Sequence, residues 1–174
     1  MDSFYILAIY KMVRVPKRYV PKILTRKDKK KQKKMLRKSR KLYKQKKYYT
    51  RKRLRSFKSK TSPHILKARK MYSIKSIKPS RKLAKKTKCS MEALKKIVEK
   101  GQGAYFSSGS RPNQTGQSWG IARLASSITG GKAAAVDYKV LEKGCKKSSK
   151  ALKLARKSRK KYNKGRRRVK SIKI

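Results

Sequence analysis

The residues of this sequence able to do covalent chemistry stand apart from the partners such chemistry needs. A nucleophilic hydrolase requires a base beside its Ser or Cys. Ser107, Ser108 and Ser110 have no such neighbour in sequence, and His64 is the sole histidine. A metal-dependent nuclease requires clustered carboxylates, and of the 6 Asp and Glu residues Asp137 and Glu142 alone lie near each other. Cys89 and Cys145 are 56 positions apart. That separation suggests neither a disulfide framework nor a zinc site, and the pair reads as buried free thiols in a reducing compartment. The loop Gly103–Gln117 (GAYFSSGSRPNQTGQ) is rich in small residues whose N–H groups suit a phosphate cradle, with Arg111 as counter-charge. It lacks P-loop and dinucleotide-fingerprint spacing. The expectation is a non-enzymatic protein with no cofactor, no metal and no small-molecule substrate.

Cations carry the other chemistry. The 174 residues include 58 Lys and Arg, for a net charge of +52. The excess is uneven: 30 basic and 2 acidic residues in 1–79, 13 and 4 in 80–144, and 15 and none in 145–174. Self-repulsion on this scale favours a polyanionic partner. Lys and Arg that neutralise phosphates release condensed counterions, so log K falls by roughly 0.9 per phosphate per decade of salt on duplex DNA. The expected partner is nucleic acid, DNA above all, held through phosphates with little regard to sequence. The leading candidates are Lys29, Lys30, Lys31, Lys33, Lys34, Arg37, Arg40, Arg51, Lys52, Arg53, Arg166, Arg167 and Arg168. Tyr48, Tyr49 and Phe57 interleave aromatics with these cations, a pattern that suits stacking on unpaired bases or packing on protein. The basic runs lack the bulky apolar face of a membrane-surface helix.

The elements that must position these groups read as mainly α. Phe4–Tyr10 (FYILAIY) is apolar but too short to span a bilayer, so no membrane span is expected. Pro16 and Pro21 favour extended backbone. Thr25, with Asp28 three residues on, caps a basic helix over about 26–48 whose thin apolar stripe is Met35, Leu36, Leu42 and Tyr43. Its like charges weaken it in water, so it firms up on phosphate. Ser62-Pro63 starts a short helix. In Ser80–Gly101, Ser80 and Ser90 cap two helices around the turn Thr87-Lys88-Cys89, with Ala93, Leu94, Ile97 and Val98 inward and Gly101 as the stop. The pair resembles a helix-turn-helix, although Lys88 stands where many such motifs have Gly. As a DNA reader it would present Ser90, Met91, Lys95 and Lys96; as an ordinary hairpin it would build the core. Ser118 caps the next helix, which buries Trp119 and carries Arg123, either an ion-pair partner of Asp137 or part of the binding face. Residues 133–141 form a short helix or strand, and Ser148 or Ser149 starts a last helix. The organisation is thus a basic N-terminal arm over 1–79, a small helical core over 80–156 and a basic tail over 157–174. The core holds the hairpin and two or three further helices, and the arms are partly disordered or ordered by a partner.

The stretch Gly101–Lys132 also carries a resemblance. Its GxGAYxSSGSRPNQT run (Gly101–Thr115), SWGxARLAS (Ser118–Ser126), TGGK (Thr129–Lys132) and VDY (Val136–Tyr138) resemble an uncharacterised domain family of large nucleocytoplasmic DNA viruses, including phycodnaviruses, with looser relatives in phages. Arg18–Tyr49 and the Ser80–Gly101 hairpin are similar to it too, so the likeness covers about Val15–Ala155. It implies a viral protein carried in the particle, in its interior or on the inner capsid face, and carries no catalytic residue with it. Three functions fit. The first is a virion protein that condenses or packages the genome. The second is a minor capsid protein that ties capsomers together from within through extended arms. The third is an RNA-binding protein resembling a ribosomal protein.

Overall fold

A computed structural model describes residues 13–165 and 169–174. The fold is mainly α, as the periodicities imply. A strand β1 (Arg14–Pro16) leads through a 3-10 turn to α1 (Arg26–Lys44), and an irregular segment leads to α2 (Pro63–Tyr72). Then follow α3 (Arg81–Thr87), α4 (Met91–Ser107), α5 (Gly116–Ile128), α6 (Lys132–Val136), α7 (Tyr138–Gly144), α8 (Lys150–Lys161) and β2 (Ser171–Lys173). Phe4–Tyr10 and Arg166–Arg168 lie outside the described residues.

Capping chemistry fixes most helix starts. The side chains of Thr25, Ser80, Ser90 and Ser149 accept hydrogen bonds from the backbone N–H groups of Asp28, Leu83, Ala93 and Leu152. Pro63 occupies the first turn of α2, where its missing N–H costs nothing. Lys88 ends α3 in the left-handed conformation (φ 55°), the geometry that Gly usually supplies in such turns.

Three expected boundaries fall elsewhere, the first at α1, which ends at Lys44 rather than at about 48 because the chain turns back through a left-handed Lys46 (φ 58°). Gly101 does not stop α4, which runs on to Ser107 and so absorbs the start of the anticipated loop. The reason is packing: a Cβ on Gly101 would lie 2.5 Å from Gly120 Cα, and one on Gly120 would lie 2.6 Å from the Val98 carbonyl oxygen. The two glycines let the α4 and α5 backbones cross in near contact. α5 is capped by Thr115 rather than Ser118; Ser118 is its reciprocal partner in a capping box, with Ser118 N–H donating to Thr115 Oγ1 and Thr115 N–H to Ser118 Oγ.

The buried apolar residues form two clusters. The larger draws on α2 to α8, with Leu83, Leu94, Ile97, Leu124, Ile128, Leu141 and Leu152 among its most enclosed side chains. Ala68, Tyr72, Ile74 and Ile77 belong to it, so this core reaches back across residue 80. The smaller cluster joins Val15, Tyr19, Val20, Leu24, Met35, Leu36 and Leu54 to Ile174. Trp119 packs half-buried against this second cluster, edge-on to Tyr19 at 5.8 Å. β1 and β2 pair antiparallel in the register Arg14↔Lys173, Val15↔Ile172, Pro16↔Ser171. The described parts of the two basic flanks therefore fold onto each other and onto the helices instead of trailing as arms.

The cysteines depart from the free-thiol expectation. Cys89 and Cys145 form a disulfide. Sequence separation hid it because α4 to α7 fold back. The backbone ties the same place together: Ser90 N–H donates to Gly144 O at 2.6 Å and Lys146 N–H to Lys88 O at 2.9 Å.

Candidate nucleic-acid interface

α1 divides its residues cleanly between two faces. Gln32, Met35, Leu36 and Ser39, at positions i, i+3, i+4 and i+7, are buried. Lys30, Lys31, Lys34, Arg37, Lys38 and Lys41 stay exposed on the far side, while Lys29, Lys33 and Arg40 are half-buried at the margins. From Lys30 to Lys41 the exposed stripe runs about 16 Å, an axial length over which duplex DNA carries about ten phosphates with both strands counted. Leu42 and Tyr43, expected in the apolar stripe, are half-buried. Gln32 takes the interior place instead because Nε2 donates to Tyr19 O at 2.9 Å and Ser110 O at 3.4 Å.

The segment after α1 sorts its cations sharply. Lys52, Arg53 and Arg55 are exposed. Arg51 is not a surface phosphate contact: it is 7% exposed. Its guanidinium donates to Ser39 Oγ (3.0 Å), Tyr105 O (3.1 Å) and Ser110 Oγ (2.8 Å) and lies 3.8 Å from the centroid of the Tyr105 ring. Burial lowers its pKa, with Tyr105, Tyr19 and Tyr49 acting the other way. No carboxylate is among these partners; neutral acceptors and an aromatic face hold the charge, with Tyr105 Oη accepting from the Arg51 backbone N–H.

The anticipated phosphate cradle uses its polar groups internally. Ser110 receives Arg51 and donates to Arg111 O. Asn113 (φ 57°) clamps the 54–57 segment: Oδ1 accepts from Leu54 N–H at 2.7 Å, while Nδ2 donates to Leu54 O at 3.0 Å and Phe57 O at 2.6 Å. Thr115 caps α5. The SSGSRPNQT run thus knits the N-terminal segment to the helices, and Arg111 is left exposed beside it. Asp28 helps from the other side, accepting from Ser56 N–H and Oγ, hydrogen bonds that hold its carboxyl below its ordinary pKa.

On the hairpin, Lys95 and Lys96 are exposed, but so are Glu92 and Glu99 on the same helix. Ser90 is engaged in capping α4 and in the bond to Gly144, and Met91 is half-buried. The end of α4 that a groove reader would present is thereby fastened to residues 144–146. Arg123 resolves as an ion pair. Its Nε and Nη2 donate to both carboxylate oxygens of fully buried Asp137 at 2.8 and 2.7 Å, and Lys100 Nζ approaches the same carboxylate at 3.1 Å.

A cationic cleft of about 520 Å³ escaped the sequence reading. Tyr138, Arg156, Arg159, Lys160, Asn163 and Lys164 line it, with Arg159 4.4 Å from the Tyr138 ring centroid. Part of the signal was present: Arg156, Arg159 and Lys160 share one side of α8 by helical spacing, whereas Asn163 and Lys164 join them through a left-handed turn just beyond its end (φ 45° and 53°).

Between described residues, the ion pairs formed by Lys100 and Arg123 both converge on Asp137. Among the described residues no group of three His, Cys, Asp or Glu is placed to hold a metal, and no helix is long and apolar enough to cross a membrane. No curated protein and no solved structure matches the chain significantly. A family model does match residues 16–141, most of the chain and all of α1 to α6, and the protein belongs to that family, DUF5824, a family of unknown function.

Proposed function

We propose that this protein is a non-enzymatic nucleic-acid-binding component of a virus particle, one that condenses or packages the genome by neutralising phosphates. The supporting observation is the surface left once the fold is complete. Of the thirteen described candidate cations Arg51 alone is buried, and the α1 stripe faces outward. Exposed cations without acidic partners repel one another until a polyanion neutralises them. The α1 stripe, Lys52 and Arg53, Arg111 and the α8 cleft are the groups proposed to meet phosphate. The viral setting rests on the resemblance of the Gly101–Lys132 motif.

The test is a salt series of duplex DNA binding by the full chain and by a variant with Lys30, Lys31, Lys34 and Arg37 changed to Gln. Each phosphate that the variant no longer neutralises should flatten the log K against log salt slope by about 0.9. Equal slopes for the two proteins would remove α1 from the interface. Retention with capsomers at high salt, in disrupted particles, would favour the shell-lining role instead.

A further inference from the structure

Beyond phosphate binding, and resting on the nucleic-acid reading above, we infer that an open groove between the end of α1 and the α4–α5 pair accepts a single unpaired nucleobase. The groove measures about 600 Å³, within the range of small-ligand sites. One wall is aromatic: Tyr43 and Tyr48 meet at 6.1 Å between ring centroids, and Tyr48 and Phe106 at 5.0 Å. Glu99, Gln102 and Gln117 also line it, with Gly103 and Gly116.

The wall is built by a turn that carries its own strain. α1 ends with Lys46 in the left-handed conformation (φ 58°), and Lys47 N–H returns to Leu42 O at 2.9 Å. That reversal brings Tyr48 back beside Tyr43. Tyr48 remains 72% exposed, an unusual place for an aromatic whose role is packing alone. Tyr49 and Phe57, by contrast, pack against the second apolar cluster. Of the three aromatics interleaved with cations in the sequence, the fold presents just Tyr48 to solvent.

The polar side has the groups to meet a base edge. Gln102 Nε2 donates to Gln117 Oε1, which leaves the Gln102 carbonyl oxygen as an acceptor and the Gln117 amide as a donor. Glu99 adds an acceptor suited to an exocyclic amine. Lys44, Lys46 and Lys47 are exposed around the turn between Tyr43 and Tyr48, where they meet the phosphates flanking the base. A base stacked and paired within a duplex cannot reach such a groove, whereas one in a single strand can.

The experiment measures binding of the full chain to one labelled sequence as single-stranded DNA, as RNA and as duplex DNA, at one fixed salt concentration. Tyr48→Ala, at an exposed position, should weaken single-strand binding about tenfold while leaving duplex binding within about twofold. Tyr48→Phe should retain single-strand affinity. A loss confined to DNA or to RNA identifies which strand supplies the base. Unchanged single-strand affinity in Tyr48→Ala, or equal losses on single strand and duplex, would overturn the groove and leave the phosphate-binding reading standing. Absence of binding to all three probes at low salt would overturn both.

Discussion

Arg51 joins α1 to α4 and the following loop through three donated hydrogen bonds, so its replacement should be read in stability and not in affinity. Arg51→Met keeps much of the volume but strips Ser39, Tyr105 and Ser110 of their donor. The expected cost is about 2–3 kcal/mol in urea unfolding, with low-salt DNA affinity of the folded variant changed by less than about twofold. Asp137 is the second interior charge. Burial pushes its carboxyl pKa up, but the hydrogen bonds and charge of Arg123, then of Lys100, outweigh burial and hold the pKa below its ordinary value. A pKa depressed on folding contributes stability above the unfolded value, about 3.9, and that contribution is lost as pH falls through the folded value. Asp137→Asn should therefore be less stable by about 3 kcal/mol near neutrality, because Arg123 loses its buried partner. The gap in urea midpoint should narrow steadily as the pH drops below about 4.

At the scale of elements, the crossing of α4 and α5 tests the packing argument. Gly101→Ala places a Cβ 2.5 Å from Gly120 Cα, backbone against backbone, and cannot be accommodated by a rotamer change. It should cost about 1–3 kcal/mol or more. Gly103, two residues on in the same helix, is the internal control: a Cβ there would sit 3.6 Å from Tyr43 Oη, an ordinary separation. Gly103→Ala should be neutral or stabilising by up to about 1 kcal/mol, since Ala outranks Gly in a helix interior. Thermal melts of the two variants, moving in opposite directions, separate close approach from helix propensity. The same crossing shows why Gly101 reads as a helix stop in the sequence: a glycine required by a neighbouring backbone and a glycine required by a left-handed turn look identical until the neighbour is known.

For the whole molecule, the disulfide between Cys89 and Cys145 closes the chain around α4, α5, α6 and α7. In the chain-entropy picture a loop of this length constrains the unfolded state by about 4 kcal/mol. Reduction, or Cys89→Ser, should lower the urea midpoint accordingly; a midpoint indifferent to reductant would show that the link contributes no stability. The reduced protein should still bind duplex DNA if it remains folded, because the α1 stripe lies outside the closed loop.

What the sequence determined by itself was local or additive. The helical periods, the caps at Thr25, Ser80 and Ser90 and the charge of +52 each depend on residues within a turn of one another, or on a simple sum. The face of α1 was legible in part for the same reason: Met35 and Leu36 mark its buried side, but Leu42 and Tyr43 are half-buried, and polar Gln32 and Ser39 take interior places through bonds to remote residues. Tertiary structure alone decided the rest. It took Arg51 out of the cation group by surrounding it with Ser39, Tyr105 and Ser110, residues up to 59 positions away. It assigned the SSGSRPNQT run to holding residues 51–57, paired Arg14–Pro16 with Ser171–Lys173 in a two-stranded sheet, and aligned the two cysteines. In each case the deciding partner is remote in the chain, and no local pattern of residue types encodes which distant group will complete a hydrogen bond, a cluster or a covalent link.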